Sequence, residues 1–208
     1  MPNANPDEIF GDLIATNLLT APHELAAGNL LSQIILNLNK RGLRDLDQAA
    51  SIRMRIGRMS KQADGSLTPS ALRVGGDIQH IGDPRGIFPF PNLVIEVAEC
   101  ESLPKLGVEL RNWVSACTSV QVAIGIKIFA PQVDSTRRML ALVYRRECPH
   151  NPEQAVEFGT NLGDAAGLHV TISLADLFHG VALPAGVDGA TTLAVDLARV
   201  RKAIARYL

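Results

Sequence analysis

Cysteine is scarce in this chain, with only Cys100, Cys117 and Cys148 among 208 residues and no two of them closely spaced. An odd and scattered set excludes a disulfide framework and a four-thiolate zinc site, and reads as reduced thiols. Charge of one sign is equally absent, since 20 Lys and Arg face 21 Asp and Glu for a formal net charge of -1. Composition therefore gives no strongly electrostatic nucleic-acid binder, although the basic stretch from Arg41 to Arg58 survives the averaging and keeps DNA open. No apolar run approaches the roughly 20 residues that span a bilayer, and no basic segment followed by an apolar one opens the chain. The expectation is an intracellular protein, cytoplasmic or nuclear.

Two further motifs are incomplete. Gly75-Gly76 and Gly82-Asp83-Pro84-Arg85-Gly86 are not followed by the lysine and hydroxyl that a phosphate loop requires. Cys148-Pro149-His150 offers two metal ligands but has no second ligand pair.

What is present is ample apolar material, 47% of residues, enough for the core of one domain spanning residues 1–208. Thr20-Ala21-Pro22-His23 reads as a helix entry, with a capping hydroxyl and a proline in the first turn. Leu25, Leu30, Leu31, Ile34, Ile35 and Leu38 recur at helical spacing to about Lys40, and Gly42 marks the stop. Ile52 to Ile56 alternates apolar and basic residues and predicts a strand with one wet face. A second strand is expected after Asp64-Gly65, through Leu67 and residues 71 to 74, pairing with the first. The glycines and prolines of residues 75 to 91 predict a loop.

Leu93 to Ala98 predicts a strand, and Ser102-Leu103-Pro104 opens a helix reaching about Ala116, with Leu103, Leu106, Leu110, Trp113 and Val114 on one face. Trp113 is expected in the core. Val120 to Phe129 is nearly continuous in apolar residues and predicts a central strand buried on both faces, joined to the earlier one by a parallel crossover. Strands follow at 139–144 and 168–174, and residues 192–208 predict a closing helix.

Within Leu93-Val94-Ile95-Glu96-Val97-Ala98 every neighbour of Glu96 is apolar. A charge buried there without a partner costs several kcal/mol unless it is neutralised, paired or bound to a metal. Glu96 is therefore the residue that most needs an explanation.

The order αβββαβ with an acid on the third strand resembles the PD-(D/E)xK nuclease-like superfamily, and within it the Uma-type restriction-endonuclease-like proteins of bacteria and their fungal relatives. The residues that carry the resemblance are Gln62-Ala63-Asp64-Gly65-Ser66, Pro91 to Val97, Glu101-Ser102, Leu110 to Trp113 and Ile124 to Ile128, with a weaker echo in Ile172 to Phe178. It covers about residues 20 to 130, leaving 131 to 208 as a C-terminal elaboration. It implies an α/β (α+β) restriction-endonuclease-like core, a mixed sheet flanked by helices, with extra strands and a C-terminal helix. It implies also a nuclease that hydrolyses phosphodiester bonds, with DNA as the expected partner, and leaves open a homodimer that cuts two strands. Asp64 and Glu96 would hold Mg²⁺ or Mn²⁺, a hard cation that takes oxygen ligands and lowers the pKa of a bound water.

The chain departs from that pattern where the lysine belongs. Two residues after Glu96 stands Ala98, and the alternative place on the following helix holds Glu109. Lys127, on the neighbouring strand, is the expected substitute, and Lys105 the second choice. Each residue also has a structural reading: Asp64-Gly65 as a turn, Glu96 and Lys127 as a buried ion pair, and Glu24 as a helix-start carboxylate favoured by the dipole rather than one reaching the metal. Glu99 and Glu101 read as exposed loop acids or as groups behind the site. The alternative function is a catalytically silent binding or interaction protein on the same scaffold.

Overall fold

The computed structural model describes residues 20–50, 52–73, 82, 88–160, 162 and 167–207. Helix α1, Ala21–Lys40, begins where expected, with the Thr20 hydroxyl accepting from the His23 amide and Pro22 in the first turn. Its buried stripe is Ala26, Ala27, Leu30, Leu31, Ile34 and Leu38, while Leu25 and Ile35 lie at its margin. After Gly42, whose positive φ of 76° suits glycine, come four short strands: β1 (Leu46–Ala49), β2 (Arg53–Ile56), β3 (Met59–Gln62) and β4 (Gly65–Pro69). A 3₁₀ turn, Ser70–Arg73, follows β4.

Strand β5, Leu93–Ala98, is buried along its whole length and leads into helix α2, Leu103–Trp113. Ser102 caps α2 by accepting from the Lys105 amide. Strand β6, Val122–Pro131, lies parallel to β5, so the expected crossover is present. Strands β7 (Arg137–Arg145) and β8 (Gln154–Glu157) extend the sheet antiparallel. The main sheet runs β1-β4-β5-β6-β7-β8, and among the described residues its only parallel pair is β5 with β6. Along this sheet the core order is α1, β1, β4, β5, α2, β6, which is αβββαβ.

The C-terminal part holds β9 (His169–Ser173), the short helix α3 (Leu174–Leu177), β10 (Thr192–Asp196) and helix α4 (Leu197–Ala205). Strands β9 and β10 form a separate antiparallel pair. Because side chains alternate along β5, it feeds both faces of the sheet. Leu93, Ile95 and Val97 enter a core shared with α1 and the C-terminal elements. Val94 and Ala98 face α2 with Leu106, Leu110 and Trp113. The mixed α+β architecture, with helices on both faces of a mixed sheet, is therefore as expected.

Three local expectations are corrected. Strand β2 pairs with β3 as a separate hairpin rather than with the strand after Asp64, which instead joins the main sheet between β1 and β5. Residues 70–73 turn as 3₁₀ rather than extending that strand. The closing helix begins only at Leu197, because Thr192 to Asp196 pairs with β9. Most of the loop expected at 75–91 lies outside the described residues.

Asn92, between Pro91 and the first residue of β5, anchors the strand. Its side-chain amide donates to the carbonyls of Leu177 (3.0 Å) and His179 (2.9 Å), tying the start of β5 to α3. Gln33 does the same for α1, donating to Asp196 O and accepting from Asp196 N, each at 2.9 Å.

Candidate functional site

Glu96 projects from the middle of β5 toward α2, into a face otherwise lined by Val94, Ala98, Leu106 and Leu110. It is 9% exposed. Its Oε1 accepts a 2.5 Å hydrogen bond from the indole N–H of Trp113, which is fully buried at the end of α2. The expected core position of Trp113 is thus correct, but the ring also holds the acid. Gly125, opposite Glu96 on β6, makes room: a Cβ there would come within 2.4 Å of Leu110 Cδ1. A larger residue would push α2 away from the sheet.

Asp64 stands at the entry to β4. Its backbone N–H donates to Ile95 O (3.1 Å), and its Oδ2 accepts from the Val97 N–H at 2.7 Å, so the side chain lies along β5 beside Glu96. Its Oδ1 is 3.0 Å from His23 Nε2, an ion-pair contact whose angle is too poor for an aligned hydrogen bond. Asp64 is thus more than the turn residue its Asp-Gly context suggests.

The charges act on one another. Burial, then the Asp64 carboxylate, push Glu96 up to about 8 against an ordinary 4.5; Trp113 and Lys61 pull the other way, and Glu109 adds to the rise. Burial by itself would depress His23, but Asp64 outweighs it, with Glu24 and Glu99 adding, and the imidazole ends above its ordinary value. His23 therefore sits against Asp64 as a cation over more of the neutral range.

Sequence reasoning had no signal for His23 or Lys61. Lys61 lies on β3, cross-strand from Met54, and its ammonium is 3.7 Å from Glu109 of α2. Its side chain is 15% exposed and its charge reaches Glu96. The sequence places it three residues before Asp64, and only the return of the β2-β3 hairpin brings it over the acids.

Lys127 and Glu96 share a sheet face, because Ala98 pairs with Lys127 as Glu96 pairs with Gly125. The Lys127 ammonium, however, donates to the carbonyls of Ala98 (3.3 Å) and Glu99 (2.6 Å), closing the end of β5, and lies 5.4 Å from the centre of the Phe129 ring. Burial lowers its pKa, with Cys100, Glu99 and Glu101 opposing. The expected Glu96–Lys127 ion pair is therefore replaced by a Trp113 bond on the acid and carbonyl bonds on the lysine. Lys105 pairs with Glu101 one turn away on the exposed side of α2.

Glu24 is exposed on the first turn of α1. Glu99 is engaged from two sides, accepting from the Thr20 hydroxyl and from Arg137 Nη1 at 3.4 Å. It fixes the start of α1, and with it His23, against the end of β5.

Two carboxylates with phosphate and water completing the shell is the usual protein share of a Mg²⁺ site. Asp64 and Glu96 match that donor set, and their mutual repulsion is what a cation would relieve. Among the described residues no group of three or more His, Cys, Asp or Glu converges as a ready metal cage. All three cysteines are exposed and free.

No family model matches the chain. No curated protein matches it in sequence. Among solved structures it is similar to a candidate nuclease belonging to DUF820 from Anabaena variabilis, with 17% identity and a TM-score of 0.48 over 88% of this chain and 82% of that one.

Proposed function

We propose that the protein is a metal-dependent nuclease that hydrolyses phosphodiester bonds, with DNA the favoured substrate. The observation that carries the reading is the Asp64-Glu96 pair. A buried strand acid held beside a second carboxylate is costly for a fold to keep without use, since each charge raises the energy of the other.

In this reading Asp64 and Glu96 would hold Mg²⁺ or Mn²⁺. When bound, such an ion lowers the pKa of its water and offsets charge gathering on the phosphate. Trp113 fixes Glu96 by donating its indole N–H to Oε1. The Val97 amide fixes Asp64 in the same way through Oδ2. His23, 3.0 Å from Asp64 Oδ1, orients that carboxylate. Lys61 takes the place of the lysine missing after Glu96, its ammonium stabilising negative charge on the phosphate oxygens. Lys127, committed to two carbonyls, supports the strand end from which Glu96 is presented.

The test is cleavage of plasmid and oligonucleotide DNA in Mg²⁺ and Mn²⁺ by the wild type and by folded Asp64→Asn, Lys61→Met and Lys127→Met variants. Loss of at least a hundredfold in Asp64→Asn and Lys61→Met, with a smaller loss in Lys127→Met, is expected for removal of groups acting on the transition state. Full activity in Asp64→Asn would overturn the proposal.

A second reading has its own observation. Both Asp64 oxygens already have partners, and Glu96 is held above its ordinary pKa. A binding protein that keeps a neutral Glu96 as a structural acid would show the same geometry. It would bind nucleic acid without metal-dependent cleavage, and the same assay separates the two.

A further inference from the structure

The β2-β3 hairpin has two unlike faces. Met54 and Ile56 point inward and are buried in the core beside α2, and Lys61, opposite Met54, shares that side. Arg53 and Arg55 point outward with Ser60 and Gln62, and Arg58 lies in the tight turn, after Gly57. All three arginines are exposed.

From Ile52 to Gln62 the chain holds four cations and no acid. Among the described residues no carboxylate pairs with Arg53, Arg55 or Arg58; Arg55 Nε reaches only the Gly57 carbonyl, at 3.3 Å. Arg137, Arg138, Arg145 and Arg199 have acid partners, whereas Arg41, Arg44, Arg111 and Arg206, each outside the hairpin, have none among the described residues. The hairpin thus sets three exposed arginines without acid partners within six residues of chain, and its returning strand runs through Ala63 into Asp64.

We propose that the outer face of this hairpin grips the sugar-phosphate backbone of a nucleic acid, and so sets how substrate reaches the Asp64-Glu96 pair; the inference rests on the nuclease reading for what the grip serves, not for the grip itself. Arginine forks suit phosphate oxygens. Residues two apart on a strand are about 6.7 Å apart, of the order of the separation between successive phosphates of one strand, so Arg53 and Arg55 can follow a backbone. The hairpin carries no aromatic side chain on which bases would stack. Recognition is therefore of backbone charge and independent of base sequence.

The test is fluorescence anisotropy with labelled duplex DNA, single-stranded DNA and RNA in EDTA, where no hydrolysis is read. The wild type should bind, with log affinity falling linearly against log salt. The triple variant Arg53→Gln, Arg55→Gln, Arg58→Gln should weaken binding at least tenfold and reduce the salt slope by about 2 to 3, one contact per arginine at about 0.9 each. The triple Arg→Lys variant should recover most of the affinity, since phosphate contact needs charge, and unchanged thermal melting establishes that both variants are folded. Equal affinity and equal slope in wild type and the Gln variant would overturn the grip, even if the protein cleaves DNA. Conversely, loss of binding in the Gln variant of a protein that cleaves nothing would uphold the grip and defeat the nuclease reading. Absence of wild-type binding to all three probes would overturn the proposal.

Discussion

At the scale of single residues, Glu96 makes a sharp prediction, because its proton is coupled to folding. It is an acid whose folded value, about 8, lies above the ordinary 4.5. Between those values the unfolded chain has lost the proton and the folded one keeps it, so stability falls as pH rises from about 4.5 to about 8 and levels off above. Removing the charge removes the loss. In EDTA, Glu96→Gln should melt above the wild type at pH 8 by an amount worth a few kcal/mol, and the gap should shrink toward pH 5. Its amide oxygen can still accept from Trp113. Thermal melts across pH check this, and a variant that melts lower than wild type at pH 8 would mean that Glu96 is ionised and well paired. His23 acts in the same direction: its raised pKa gives stability below about 6.5 that is lost as pH rises through its folded value. Melts of His23→Gln should therefore fall below wild type at pH 5.5 and converge with it near pH 9.

At the scale of elements, the site depends on how closely helices approach β5. Gly125 leaves room for Leu110, and a Cβ there would overlap it. Gly125→Ala should destabilise the protein by about 1–3 kcal/mol through overpacking and loosen the bond between Trp113 and Glu96, a change readable in tryptophan fluorescence. Asn92→Ala, which takes the donor from the buried Leu177 carbonyl and from the part-buried His179 carbonyl of the α3 turn, should cost about 1–3 kcal/mol in urea melts. Where apolar period and capping agreed, elements were legible in the sequence: α1 from Thr20 and its leucines, β5 and β6 from unbroken aliphatic runs, and α2 from Ser102 and Pro104. Strands β1 and β3 were not, because Leu46-Asp47-Gln48-Ala49 and Met59-Ser60-Lys61-Gln62 bury little and carry no alternating apolar face. Their extended form comes from pairing with β4 and β2. Residues 192–196 alternate in burial as a strand does, and their continuation of the helical spacing concealed the boundary at Asp196.

At the scale of the whole molecule, the candidate site brings together α1, β3, the entry of β4, β5 and α2, which contribute His23, Lys61, Asp64, Glu96 and Glu109. Glu96 could be found in the sequence because an acid among aliphatic residues is conspicuous wherever it lies. Asp64 was singled out only through the resemblance, because Asp-Gly by itself reads as a turn. Lys61 could not be found, since its nearness to Glu96 depends on a hairpin whose pairing carries no sequence signal, and Lys127, on the correct sheet face, was the better candidate until its carbonyl partners were seen. No helix among the described residues is long and apolar enough to cross a membrane. The measurement that bears most directly on the account is plasmid DNA cleavage by wild type and Glu96→Gln, side by side, in Mg²⁺, in Mn²⁺ and in EDTA. Cleavage by the wild type in either metal, none in EDTA, and none by a Glu96→Gln protein that melts as a folded domain is the predicted result; cleavage that survives in EDTA or in Glu96→Gln, or a wild type inert toward DNA and RNA in both metals, would contradict it.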